Sequence, residues 1–218
     1  MSYCAVVPAL IPTSAQAVKD FTDLCLFARE IQIDVVDGQF TPSASWPFEP
    51  VGDPASIKSF TDRYTLEVDL MVADPITAAY SWIAAGADML VFHVETITLE
   101  SLQRFAATTP VSIGVALHGD TTLETFIPYV AVADYIQVMG VRLIGAQGQT
   151  FDPKTYDTIA ALRSRFPDIS ISVDGSVNLD TIKQLQQAGA DRFVAGSAII
   201  SQANPQAAFQ ELKEMLRA

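Results

Sequence analysis

Short hydrophobic runs alternate with amphipathic stretches along the whole chain. The runs are rich in β-branched residues, which is typical of buried strands, and the stretches repeat apolar residues at helical spacing. The predicted strands are 5–11, 31–36, 65–71, 89–94, 111–117, 135–141, 169–173 and 192–195. The predicted helices are 15–29, 76–85, 99–107, 123–132, 153–166, 179–188 and 205–216. Strand–helix alternation at this spacing predicts a parallel sheet.

Eight such units in 218 residues predict an α/β fold, a (β/α)8 TIM barrel with few insertions, formed as one domain over 1–218. Glycines at 86 and 189 suit left-handed positions just after two helices. The longest irregular connection, 37–56, is rich in proline, serine and aromatic residues and is interpreted as an active-site flap.

Side chains alternate along a strand, so residues of one parity share a face. Asp34, Asp69 and Asp174 fall on the polar face of three predicted strands, opposite an apolar face suited to the helices. The polar face should fill the lumen, and active sites in this fold lie at the carboxyl ends of the strands. A carboxylate among β-branched residues needs a partner, a metal or a reaction, although ordinary interior hydrogen bonding is an alternative.

Glycine and serine follow two consecutive predicted strands. Gly175 and Ser176 follow the seventh, and Gly196 and Ser197 follow the eighth. Such turns let backbone N–H groups approach an anion, and phosphate sites in this fold use these two loops. The four residues are therefore predicted to bind phosphate.

Composition narrows the range of partners. The net charge is −12 and the 13 basic residues are scattered, which argues against nucleic acid and anionic membranes. No apolar run is long enough to span a membrane. Cys4 and Cys25 form no paired framework, so we expect a reduced, cytoplasmic protein.

Seven motifs, in order along the chain, resemble those of the ribulose-phosphate 3-epimerase family. They are Val-Pro-Ala-Leu-Ile (7–11), Ile-Asp-Val-Val-Asp-Gly-Gln-Phe-Thr-Pro (33–42), Val-Asp-Leu-Met-Val-Ala-Asp-Pro (68–75), Phe-His-Val-Glu (92–95), Gly-Gln-Thr-Phe (148–151), Val-Asp-Gly-Ser (173–176) and Val-Ala-Gly-Ser-Ala-Ile (194–199). The resemblance implies a metal-dependent barrel that inverts C3 of ribulose 5-phosphate through a cis-enediolate. It implies Asp34 and Asp174 as the two catalytic acid–base groups, which in the family also bind the metal. It further implies Gly148 at the phosphate and Met71 and Met139 in the lumen.

The chain departs from the family at the metal site. Gln32 and Asp69 stand where the family carries two ligand histidines, and Ala9 replaces a usual serine. The loop at 140–149 is one residue longer than in the family and carries Arg142.

One hypothesis follows from these oxygen-bearing replacements. Asp34, Asp69, Asp174 and Gln32 would bind a divalent metal, with Mg²⁺ or Mn²⁺ favoured over Zn²⁺. The protein would then be a phosphorylated-sugar epimerase with an altered metal site.

A second hypothesis keeps the phosphate site without a metal. Arg142 would neutralise the acids or hold the substrate and His118 would act as an acid or base, in a sugar-phosphate-binding barrel with lost or changed activity. The alternatives are a solvated Arg142, a packed His118 and an interior His93 paired with Glu95.

Aldolase or decarboxylase chemistry is a third interpretation. Related barrels carry Asp-x-Lys-x-x-Asp on strand three, and here Met71 stands at the lysine position. Lysine-dependent chemistry is therefore set aside. Apolar helix surfaces and family habit favour a homo-oligomer.

Overall fold

Eight parallel strands close into a barrel in the computed structural model, which describes residues 5–119 and 121–217. The strands are β1 (Ala5–Leu10), β2 (Glu30–Val36), β3 (Thr65–Met71), β4 (Met89–His93), β5 (Ser112–Leu117), β6 (Tyr135–Met139), β7 (Ser170–Asp174) and β8 (Arg192–Ala195). Each strand pairs with its neighbour in the chain, and β8 pairs with β1 to close the ring. The predicted (β/α)8 architecture is confirmed.

Helices follow the strands and cover the outside of the barrel. They are α1 (Ala15–Leu24), α2 (Lys58–Thr61), α3 (Pro75–Ala84), α4 (Leu99–Ala106), α5 (Leu123–Val130), α6 (Lys154–Arg165), α7 (Ile182–Ala188), α8 (Ser197–Ile200) and α9 (Pro205–Arg217). The first of these ends five residues before the predicted 29. Gly86 and Gly189 have φ of 99° and 116°, as expected for left-handed residues after a helix.

The alternation of side chains places apolar residues outside and polar residues inside the barrel. On β2, Ile31, Ile33 and Val35 are fully buried in the main hydrophobic cluster. Gln32 and Asp34, on the opposite face, are buried in the lumen. Each large aliphatic side chain removed from water contributes about 1.5–3 kcal/mol, so the outer layer stabilises the barrel that holds the polar lumen.

The connection predicted as a flap is partly anchored in the core. Trp46 is buried and packs edge-on against Trp82 of α3, with 6.0 Å between ring centroids. A 3₁₀ turn at Pro54–Ile57 follows, with the Asp53 side chain accepting from the Ala55 N–H. Phe40 lies near the carboxyl end of β4, with 5.4 Å between the centroids of its ring and the His93 ring. The segment is thus anchored at Trp46 while much of the rest of it is exposed.

An ionic network fills the amino end of the lumen. Arg192 donates to Glu67, to Glu30 at 2.9 and 2.5 Å, and to Ser172 at 3.1 Å. Tyr135 donates to Glu67 at 2.5 Å. These donors satisfy the buried Glu67 carboxylate. The network lies on the amino-terminal side of the acids of β2, β3 and β7.

Two further expectations concern membranes and thiols. None of the helices within residues 5–119 and 121–217 is both long and apolar enough to cross a membrane. Cys25 is buried and burial raises its pKa to about 12, which leaves the thiol unreactive at neutral pH. Cys4 lies outside the described residues.

Candidate active site

Two carboxyl groups from distant parts of the chain are joined by one amide. Gln32 Nε2 donates to Asp34 Oδ1 at 2.7 Å and to Asp174 Oδ2 at 2.8 Å. Asp34 is near the carboxyl end of β2 and Asp174 is the last residue of β7. The barrel therefore brings together the two residues predicted to be acid and base, with Gln32 between them.

Asp69 completes a cluster of three buried acids. One carboxylate oxygen from each of Asp34, Asp69 and Asp174 lies within 4.8 Å of the others. Asp69 is level with Asp34 in the β2–β3 register. Its Oδ1 lies 2.9 Å from His93 Nε2, and its Oδ2 accepts from Gln137 Nε2 at 2.8 Å.

A cavity of about 420 Å³ opens above this cluster at the carboxyl ends of the strands. Asp34 and Asp174 line it, together with Met71 and Met139. Asp69, which is fully buried, lies behind them and is not among the described residues that line the cavity. A molecule in the cavity would thus touch two of the three acids.

The far side of the cavity is formed by glycine and serine loops. All five residues predicted to bind phosphate line it: Gly148, Gly175, Ser176, Gly196 and Ser197. The loops after β6 and β7 approach closely, since a Cβ on Gly140 would lie 2.1 Å from the Gly175 carbonyl oxygen. Main-chain groups can approach an anion here because side chains do not cover them.

Ser176 is held in an unusual backbone conformation beside the cavity. Its φ of 54° lies in the left-handed region, which non-glycine residues seldom adopt. Thr181 Oγ1 and Asn178 Nδ2 donate to its carbonyl oxygen at 2.8 and 3.1 Å, and its own hydroxyl donates to the Gln149 carbonyl oxygen. These bonds fix the loop shape that exposes the turn to the cavity.

Burial and crowding alter the protonation of the acids. Burial raises the pKa of Asp34 well above its ordinary value, and the charges of Asp174 and Asp69 raise it further. Burial, and then the charge of Asp69, raise the pKa of Asp174 to about 7. Both carboxyl groups therefore keep a proton to a higher pH than an ordinary aspartic acid, and with a pKa of about 7 Asp174 changes its protonation state near neutral pH. A carboxylic acid next to a carboxylate is the state in which one group can donate a proton and the other can accept one.

His93 is bound to Asp69 more closely than to its predicted partner. Its Nδ1 lies 3.8 Å from Glu95 Oε2, beyond hydrogen-bonding distance. Burial alone would lower the pKa of His93, but the charge and hydrogen bond of Asp69 raise it above its ordinary value. His93 can thus offset part of the negative charge of the cluster.

Two other predicted contact residues lie outside the cavity lining. His118 is half-buried and lines a separate cavity of about 60 Å³ with Lys154 and Asp152. Arg142 is exposed on the loop after β6, and among the described residues the cavity is lined instead by Ile144, Gly145 and Gln147 of that loop. The structure therefore places neither His118 nor Arg142 at the acids.

The residues present suit a hard divalent cation. Three carboxylates converge, and the buried oxygen of Gln32 has no hydrogen-bond partner among the described residues. An all-oxygen donor set of this kind favours Mg²⁺ or Mn²⁺ over Zn²⁺. Asp34, Asp69 and Asp174 could hold such an ion.

Comparison with known sequences places the chain in a family. The profile described as the ribulose-phosphate 3 epimerase family matches residues 5–200. The chain belongs to the ribulose-phosphate 3-epimerase family. It is 31% identical over 189 residues to the ribulose-phosphate 3-epimerase of Schizosaccharomyces pombe, covering 84% of this chain and 80% of that protein. It is 29% identical over 215 residues to the enzyme of that name from Mycobacterium tuberculosis, covering 95% of this chain and 91% of that one.

Solved structures with this barrel include other sugar-phosphate enzymes. A 3-hexulose-6-phosphate synthase from Salmonella typhimurium matches with a TM-score of 0.73 and 17% identity, covering 98% of both chains. A 3-keto-L-gulonate-6-phosphate decarboxylase from Vibrio cholerae matches with a TM-score of 0.72 and 16% identity, covering 100% of this chain and 98% of that one. At this identity the likeness shows the fold alone.

Within this epimerase-family barrel, sequence reasoning missed Gln137 and Arg192. Both occupy inward positions of their strands, Gln137 beside Asp69 and Arg192 beside Glu67. The parity argument used for the acids could have found them, since Gln137 lies between outward Ile136 and Val138. Gln147 was also missed; its amide donates to the Ala9 carbonyl oxygen at 3.3 Å from an irregular loop.

Proposed function

We propose that this protein epimerises a phosphorylated ketose at the carbon next to its ketone, with ribulose 5-phosphate as substrate and xylulose 5-phosphate as product. The observation that carries this proposal is the Asp34–Asp174 pair, two carboxyl groups that share one amide and line one cavity. The relatives named ribulose-phosphate 3-epimerase support the same reaction.

The proton transfers are divided between the two acids. In one direction the ionised carboxylate removes the proton from C3, which lies α to the C2 ketone, and leaves an enediolate. The protonated carboxyl group then delivers its proton to C3 from the opposite face, so the configuration inverts. The two groups exchange protonation states in each turnover, and proton exchange with solvent after product release returns them to the starting states for the next substrate.

The glycine and serine loops bind the substrate phosphate. Backbone N–H groups of Gly175, Ser176, Gly196 and Ser197, with Gly148 opposite, would accept the dianion at the far end of the cavity. Binding there orients the sugar so that C3 reaches the acids. Met71 and Met139 supply apolar walls that exclude water around the reacting carbon.

A divalent cation would be held by Asp34, Asp69 and Asp174, with the Gln32 oxygen as a fourth donor. When bound, it supplies electrostatic stabilisation of the negative charge that forms on the enediolate oxygens. In the described hydrogen-bond pattern the Gln32 nitrogen faces both carboxylates. An amide can present either its nitrogen or its oxygen, so Gln32 is compatible with both states of the site.

The decisive test is isomer conversion by the purified protein. Ribulose 5-phosphate is supplied, and xylulose 5-phosphate is measured with a coupled transketolase assay. Asp34→Asn and Asp174→Asn should each lower kcat by about 10²–10⁴, the usual contribution of a positioned acid or base. Asp20→Asn, on the exposed face of α1, is the matched control and should keep wild-type activity. Equal activity of all four proteins would contradict the proposal.

A metal-free sugar-phosphate-binding barrel with lost or changed activity is the second candidate. It is favoured by one observation: the carboxylates already receive donors from Gln32, His93 and Gln137. Thermal unfolding of stripped protein with added Mn²⁺ or Mg²⁺ separates the candidates. A raised Tm supports the metal site, and pentulose-phosphate epimerisation that EDTA abolishes rules out the second candidate.

The cellular setting follows from the same proposal. The substrate and the buried free thiol of Cys25 fit a cytoplasmic protein, and a relative from Oryza sativa subsp. japonica is named as a cytoplasmic isoform. We also propose a homo-oligomer. Light scattering at micromolar concentration would test this, with the mass of one chain as the contradicting result.

A further inference from the structure

Asp69 is held by hydrogen bonds on both of its oxygens. His93 comes from β4 and Gln137 from β6, so donors from two other strands converge on a residue of β3. All three side chains are fully buried. Asp69 is not among the described residues that line the cavity, and one of its carboxylate oxygens lies within 4.8 Å of an oxygen of Asp34 and of Asp174.

Chemistry determines the orientation of both donors. An ionised carboxylate only accepts hydrogen bonds, so the Gln137 nitrogen must face Asp69 and His93 must carry hydrogen on Nε2. Turning the Gln137 amide would place two oxygens 2.8 Å apart. In the described orientation the Gln137 oxygen is buried without a hydrogen-bond partner among the described residues. That unfavourable burial indicates that the bond to Asp69 decides the amide orientation.

We propose that Gln137 and His93 are positioning residues that hold the Asp69 carboxylate against the Asp34–Asp174 pair. The inference rests on the proposed epimerase function. An aspartate side chain rotates about two bonds, and one donor would leave the second oxygen unfixed. Two donors, one on each oxygen, fix the carboxylate plane, and with it the position of the charge that Asp34, Asp174 and any bound cation experience. Displacement of such a group by about 1 Å can reduce a rate about 10²-fold.

The experiment removes the donor while keeping the size of the side chain. Gln137→Met preserves length but cannot donate, so kcat should fall about 10–100-fold, the usual effect of losing a group that orients a catalytic residue. KM for ribulose 5-phosphate should change less than about threefold, because the Gln137 amide donates to Asp69 and Met139 rather than to the loops proposed to bind phosphate. His93→Met should behave in the same way. His93→Gln, which can return an N–H near the Nε2 position, should recover most of kcat.

A double variant distinguishes a shared role from two separate ones. Because both donors hold one carboxylate, Gln137→Met with His93→Met should lose less than the product of the two single losses. Gln103→Met, on the exposed face of α4, is the control for the substitution itself. Should Gln137→Met fail to fold by circular dichroism, Gln137→Asn takes its place, since the shorter amide cannot reach Asp69.

Two results would overturn the inference. The first is a folded Gln137→Met enzyme with kcat within twofold of wild type. The second is an unchanged Asp69 carboxylate in the crystal structure of Gln137→Met compared with wild type, whereas a reoriented carboxylate supports the positioning role. This comparison also decides if the wild-type protein shows no epimerisation, which would be a failure of the proposed function alone.

Discussion

Gln32 lies between Asp34 and Asp174, at a position where the family resemblance implies a ligand histidine. Its amide nitrogen donates to both Asp34 and Asp174. What it lacks is the softer nitrogen ligand that the family resemblance leads one to expect. Asp69 likewise offers a carboxylate oxygen where the family resemblance implies an imidazole nitrogen. We therefore propose that these two residues determine the metal preference.

Restoring the imidazoles should change the metal preference. The double variant Gln32→His, Asp69→His should bind Zn²⁺ or Co²⁺ at least about tenfold more tightly than wild type, because imidazole is a better ligand than amide or carboxylate oxygen for these ions. Calorimetry measures the affinity, and the visible spectrum of bound Co²⁺ reports the ligands. A variant that binds both ions no better than wild type would show that these two positions do not control the metal.

Asp174 should make the metal-free protein less stable as the pH rises. Its pKa is raised from 3.8 to about 7 in the folded protein. Between these values the folded state keeps a proton that the unfolded chain has lost. The free energy of unfolding should therefore fall as pH rises from 4 to 7, by on the order of a few kcal/mol.

Chemical denaturation of EDTA-treated protein across this pH range measures the slope. Asp174→Asn cannot ionise, so it should flatten the curve and raise Tm at pH 7 relative to wild type. An identical slope in both proteins would contradict the pKa assignment.

At this scale, the inward acids and Gln32 were predictable from sequence, and the contacts of Asp69 with residues of β4 and β6 were not. Asp34 and Asp174 could be placed because strand parity and position at a strand end are local properties. The bond from Gln137 to Asp69 joins residues 68 positions apart, and its existence depends on the register of four strands. Parity predicts an inward side chain, but it does not say which of several inward groups it meets.

Among the elements, the loops after β6, β7 and β8 line the far end of the cavity. Gly196 lies against Gln147, whose amide nitrogen would be 2.4 Å from a Cβ added there. Any larger residue at 196 would push this amide aside and enter the space proposed for the phosphate.

Gly196→Val should raise KM for ribulose 5-phosphate at least about tenfold with a smaller change in kcat, because phosphate contacts bind the ground state and the transition state alike. Inorganic phosphate should also inhibit the variant more weakly, by a similar factor. An unchanged KM would remove Gly196 from the proposed phosphate site.

Element boundaries followed the sequence pattern where the pattern was long enough. All eight strands agree with prediction to within two residues at each end. The turns at Pro54–Ile57 and α2 were missed, since elements of four residues show too little periodicity to be recognised. The connection 37–56 was interpreted as an active-site flap, and this stays a prediction; the burial of Trp46 against α3 is a tertiary contact that local sequence does not encode.

For the whole molecule, the lumen is divided between an end with three clustered acids and an end with an ion-pair network. The acids occupy the carboxyl end, and the Arg192 network occupies the amino end. Burial raises the pKa of Glu67 while the nearby Arg192 opposes that shift, so the two depend on each other. Removing one partner would leave the other charge buried and uncompensated.

Arg192→Met should destabilise the protein by about 3–5 kcal/mol and lower Tm by roughly 6–20 °C. Arg192→Met with Glu67→Gln should recover part of this loss, because no lone buried charge remains. Arg104→Met, which breaks only the exposed pair with Glu100, should change stability by about 1 kcal/mol or less. If Arg192→Met has the same Tm as the Arg104→Met control, the network does not stabilise the barrel.

The proposed reaction is tested most directly by isotope exchange at one carbon. Ribulose 5-phosphate is incubated with the protein in D₂O, and proton NMR follows the hydrogen on C3 while xylulose 5-phosphate appears. Wild type should replace that hydrogen with deuterium and form the epimer, and Asp34→Asn and Asp174→Asn should be impaired in doing both. Wild-type protein that leaves the C3 hydrogen in place, with and without added Mn²⁺ or Mg²⁺, would contradict the assignment of Asp34 and Asp174 as the proton-transferring pair.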